Sequence, residues 1–147
     1  MGLRLLPPFL AILTVAVACA GQATGPPAGP PAPDGIFLPR LTGHQDSWPA
    51  SLASGTLVLR HGCVFLMPGD ALLIWPNEAA ADRTSDGTLE VKVDGKLVGQ
   101  MGDEVQLGGG LLGESKDAVK QAERMIGEPI PEKCHAAGGY WLTAPPS

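Results

Sequence analysis

Three β-rich apolar runs, TLVLR (56–60), CVFLM (63–67) and ALLIW (71–75), stand only two and three residues apart. Connections that short leave no room for a helix or a crossover, so consecutive runs must pair as antiparallel hairpins. The connectors carry matching chemistry. His61-Gly62 offers two residues that tolerate positive φ, and Pro68-Gly69-Asp70 is a cluster of turn formers. Nearly every residue within the runs is apolar, which is the pattern of strands covered on both faces.

Downstream the pattern continues with different spacing. PNEAAADRTSDG (76–87) is polar and is expected to be a mobile loop. TLEVKV then alternates strictly, with Leu89, Val91 and Val93 on one face and Glu90 and Lys92 on the other. Asp94-Gly95 is the strongest hairpin signal in the chain, and KLVGQM returns from it. Gly102-Asp103 turns the chain again into EVQL. Between Lys116 and Ile126 the period changes: Ala118, Val119, Ala122, Met125 and Ile126 share one helical face. Ser115 is placed to cap the start, and Gly127 with Pro129 marks the stop. A last strand is expected near Tyr140–Thr143. The expected fold is mainly β: a small curled meander sheet or OB-like barrel with one helix, about 115–126, in the C-terminal half. The expected domain spans 36–144, with an irregular arm at its start packing Phe37, Leu41 and Trp48 on the sheet, and 145–147 as a tail.

The N-terminus reads differently. Arg4 precedes an uncharged, almost wholly apolar stretch from Phe9 to Ala18. Ten helical residues span about 15 Å, half the hydrocarbon thickness, which suits a signal peptide (1–18) and not a membrane span. Ala16-Val17-Ala18-Cys19 resembles the lipobox of bacterial lipoproteins, with alanine where leucine is commonest. The resemblance implies cleavage before Cys19, diacylglycerol on its sulfur, acyl chains such as palmitate, and membrane anchoring in the cell envelope. Ala18-Cys19-Ala20 alternatively fits ordinary secretion, with Gly21 as first residue and a soluble secreted or periplasmic product. Residues 19–35 hold nine of the chain's 35 glycines and prolines and one charge, Asp34. Such a segment is expected to be a disordered tether, and residues 20–35 would reach about 50 Å at roughly 3.1 Å each.

With Cys19 assigned to lipid, Cys63 and Cys134 remain. Outside the cytoplasm two thiols most simply form a disulfide. The alternative is metal handling: His61, Cys63, Cys134 and His135 supply the donor types of a zinc or copper site, although without the usual C-x₂-C or H-x₃-H spacing. Gly108 to Gly113 fits G-x-G-x-x-G formally, yet the acidic residue ending a second parallel strand is missing. That run is expected to be a flexible turn feeding the helix, or a flap over a binding face. Trp48, Trp75 and Trp141 are candidates for a ligand-stacking surface or for the core, with Trp75 near the rim.

The sequence contains none of G-x-S-x-G, S-x-x-K or H-E-x-x-H, and no catalytic residue or cofactor is expected. A net charge of −5 gives no basic footprint for nucleic acid. The segment from GTLVLRHGCVFL to the late YWL resembles small exported bacterial domains, and that resemblance carries over no functional residue. The expected function is therefore a cell-envelope lipoprotein acting as a non-catalytic binding or structural module, its partners being the membrane through its anchor and an envelope ligand or protein. The alternatives are metal handling, and an enzyme with a site near loop 76–87 and the 108–113 glycine run.

Overall fold

The computed structural model describes residues 29–147, so the expected signal peptide and Cys19 lie outside the described residues. The strands are β1 (Ser51–Arg60), β2 (Cys63–Met67), β3 (Ala71–Ile74), β4 (Ala79–Arg83), β5 (Leu89–Val93), β6 (Lys96–Gln100), β7 (Glu104–Leu111) and β8 (Tyr140–Thr143). One helix, α1 (Lys116–Ile126), and a short 3₁₀ turn (Glu132–Cys134) lie between β7 and β8. Five strands close into a barrel in the order β1-β2-β3-β8-β7, and β4-β5-β6 form a separate sheet. The fold is thus mainly β and OB-like: a small five-stranded barrel with a Greek-key return.

The hairpins follow from their turn residues. His61-Gly62 has φ of 54° and 80°, and Asp94-Gly95 has 50° and 74°, the left-handed pairs that match strand twist. β1 serves two neighbours. Its first half pairs with β7 and its second half with β2, the exchange occurring at Thr56. Gly55 sits at that bend because a Cβ there would lie 2.2 Å from the Met67 carbonyl oxygen.

Two features depart from a simple meander. β3 does not pair with β4; it pairs in parallel with β8, while the other barrel pairs are antiparallel. Tight turns cannot produce a parallel pair, so the long excursion through the second sheet and α1 supplies the crossover. The polar stretch expected as a loop also contains β4, whose Ala79 and Ala81 are buried. Alanine has low β-propensity, but β5 and the core beneath determine the outcome here.

The core has two layers. One cluster includes Leu57, Val64, Leu73, Leu107 and Trp141, drawn from all five barrel strands, and is therefore the barrel interior. Ala81, Leu89, Val91 and Val93 join it, so the small sheet shares that core. The second cluster takes only Cys63, Phe65, Leu72, Ile74, Tyr140 and Leu142 from the barrel and adds Ala118, Ala122 and Ile126 of α1. This is the outer face of β2-β3-β8, covered by the helix. α1 starts where its cap is: Ser115 Oγ accepts from the Ala118 N–H at 3.2 Å, and Gly127 ends it at φ 75°. The arm packs Leu41 fully, and Phe37 and Trp48 partly, against this outer layer.

Candidate functional site

Cys63 opens β2 and Cys134 closes the 3₁₀ turn, which brings their Cα atoms to 5.6 Å in a disulfide. Both residues are fully buried. The bond fastens the segment after α1 to the strand that α1 covers. His61 is an exposed turn residue, and His135 is exposed just past the 3₁₀ turn. With both sulfurs bonded to each other there is no thiolate to offer a metal. The His61, Cys63, Cys134 and His135 set is thus not assembled as a ligand shell. Among the described residues no group of three or more His, Cys, Asp or Glu is placed to hold a metal ion.

The glycine run is neither turn nor flap. Gly108 to Gly110 lie within β7, and Gly109 pairs with Ser51 on one side and Thr143 on the other. A Cβ on Gly109 would stand 1.7 Å from the Leu142 carbonyl oxygen, and one on Gly110 would stand 2.6 Å from Pro49 Cβ. The glycines are there because backbone and proline press onto the barrel seam. Residues 76–87 belong to the other sheet through β4, so the two segments proposed for an enzyme site lie in separate sheets.

The tryptophans do not form a stacking surface. Trp75 and Trp141 are inside the barrel, and Trp48 is partly buried outside it. Trp75 is fully buried and not at the rim, because Pro39 and Leu41 of the arm bond to its backbone on both sides. The outer face of β2-β3, which receives ligands in many OB barrels, lies beneath α1.

Titratable groups with shifted behaviour have local causes. The Glu90 carboxyl is held below its ordinary range by its hydrogen bond to Lys92, and the same bond raises the Lys92 ammonium. Asp82 stands 3.8 Å from Lys92 on the other side. Asp86 is lowered by the Thr84 hydroxyl and then by the Thr88 backbone, inside the β4–β5 turn. Burial raises the Tyr140 phenol; a backbone hydrogen bond at Ala136 opposes this and the Glu123 charge adds to it. Arg60 lies 4.2 Å above the Phe65 ring and bonds Asp70 at 2.6 Å. The second Asp70 oxygen accepts from Ala137 N–H at 3.3 Å, which ties the β2–β3 turn to the approach to β8.

An opening of about 360 Å³ lies between β6, the outer side of β1 and β7, and the tail from Ala144 to Ser147. Leu52 (68% exposed) and Leu97 (53%) face it, two of the three exposed large apolar side chains among the described residues. A register shift between β5 and β6 sets Lys92 opposite Leu97 and Val91 opposite Gly99, leaving Val98 unmatched. This bulge lets Val98 pack on the core while Leu97 faces outward. Sequence reasoning passed over Leu52 and Leu97; the available signal was the apolar Leu97-Val98 pair directly after a two-residue turn. The groove offers apolar contact beside a strand edge, with Gln106 as its polar side chain apart from the tail's Ser147.

Compared with known protein families, curated proteins and solved structures, the chain matches none.

Proposed function

We propose that the protein is a lipid-anchored cell-envelope protein whose OB-like domain is a non-catalytic binding or structural module. The supporting observation is the division of its three cysteines. Cys63 and Cys134 are joined at the centre of the outer core layer, a bond that persists in oxidising compartments outside the cytoplasm. Cys19 is then the one cysteine left over, and it stands at the end of the N-terminal apolar stretch, where the lipobox resemblance puts the acylated residue. Two or three acyl chains on one residue meet the requirement for stable anchoring.

Intact mass of the membrane-extracted chain tests the anchor. A chain that starts at Cys19 and carries acyl mass is expected, and a chain that starts at Gly21 rejects it. The non-catalytic assignment falls if a substrate screen finds turnover that one polar substitution abolishes.

A further inference from the structure

Arg40 is held by the backbone and by no carboxylate among the described residues. Its Nη1 donates to the carbonyl oxygens of Gly29 (2.5 Å), Pro30 (2.8 Å) and Ala79 (3.1 Å). Ala79 is the first residue of β4, an edge strand of the small sheet. The Gly29 N–H donates to the Asn77 carbonyl at 2.9 Å, so the arriving chain is fixed by both its donor and its acceptor. The approach is too close for a side chain: a Cβ on Gly29 would lie 2.2 Å from the Ala79 oxygen. Ala32 packs on the interior core, and the Ile36 N–H closes a turn onto the Pro33 carbonyl.

From this arrangement we infer that Arg40 is a latch that seats residues 29–35 as a strap on the domain and covers the end of the β4 edge. The guanidinium suits this task. It keeps its charge at every physiological pH, and the two N–H donors of Nη1, one of them shared, gather three carbonyls from two chain segments. An open strand end is also a pairing hazard, and a bound strap removes it. The consequence for reach rests on the lipid-anchor reading; the latch itself does not. With the strap seated, only residues 20–28 separate Cys19 from the domain. An extended chain at roughly 3.1 Å per residue gives an upper reach of about 28 Å for a segment of that length, against about 50 Å for one as long as 20–35. Arg40 therefore sets both the stand-off from the membrane and the side of the domain that faces it.

Amide hydrogen exchange on the full membrane-extracted chain tests the latch. In the unsubstituted protein the Gly29 amide, bonded to the Asn77 carbonyl, is expected to exchange slowly. Arg40→Met keeps the apolar stem and removes the donors, and should speed exchange at Gly29 at least about tenfold, the scale of charge-assisted hydrogen bonds. Gly29→Ala pushes the strap off the Ala79 carbonyl from the strap side, and the amide at position 29, corrected for its intrinsic rate, should be released equally while the β5 amides stay protected. If the amide at position 29 of Arg40→Met stays within about twofold of the unsubstituted rate, the latch is wrong whatever Gly29→Ala does. If instead the mass shows a chain starting at Gly21 while both variants release the strap, the anchor reading fails and the latch stands.

Discussion

At the residue scale, neighbouring glycines in β7 differ in what they permit. Gly109 has φ 138° and no space for a Cβ, whereas a Cβ on Gly108 would meet Ala144 Cβ at an ordinary 3.5 Å. Gly109→Ala should therefore cost about 3 kcal/mol or more, and Gly108→Ala should stay within about 0.5 kcal/mol, as measured by urea denaturation. Tyr140 is the chain's one tyrosine, so the phenolate difference band on alkaline titration reports it alone, since the three tryptophans do not ionise there. Its phenol is buried and its folded pKa is raised above that of the unfolded chain. The sign follows from linkage: its stabilising contribution is fully present below the ordinary pKa of about 10 and is lost as pH rises through the folded value. Phenolate should appear later than in a free tyrosine and together with loss of the native circular dichroism. Phenolate appearing at the ordinary pKa in a still-folded protein would contradict this. Single residues were legible where local chemistry decides them. Ser115, Gly127, Asp94 and Gly95 were assigned from sequence because caps and tight turns are set within a few residues. Gly109 was misread because the constraint on it comes from Leu142, a contact the local pattern does not contain.

At the element scale the same distinction explains what could be read. α1 spans the residues that its periodicity and caps indicate. β2, β3, β5 and β6 also lie where the turn signals put them. β1 begins five residues earlier than its apolar run, because SLASG is fixed by pairing with β7 and not by its own composition. β4 was missed for the same reason: AAADR becomes a strand because β5 lies beside it. The β7 extension through the glycines likewise depends on β1 and β8. Local sequence thus identifies elements that carry their own turn or period, while those recruited by a neighbour appear only once the sheet is assembled.

At the scale of the whole molecule, one covalent bond spans most of the folded chain. Cys63 and Cys134 are separated by 71 positions. The chain-entropy argument gives about 4 kcal/mol for a loop of that length. Replacing both by serine should lower unfolding free energy by about that amount, measured by chemical denaturation, and the segment after α1 should be the first to lose amide protection. A double variant within about 1 kcal/mol of the parent would show that the disulfide is not needed to hold the helix on its face.

The parallel contact between β3 and β8 joins Leu72 to Tyr140 and Ile74 to Leu142, partners 68 positions apart in the chain. No earlier stretch of the chain can substitute for β8 in that seam. While the polypeptide is being made, the strip between β3 and β7 therefore stays open until β8 has emerged, and closure of the barrel waits for a long loop to close. The hairpins β1–β2 and β2–β3 need only near neighbours, so topology alone separates their pairing from the closing of the barrel.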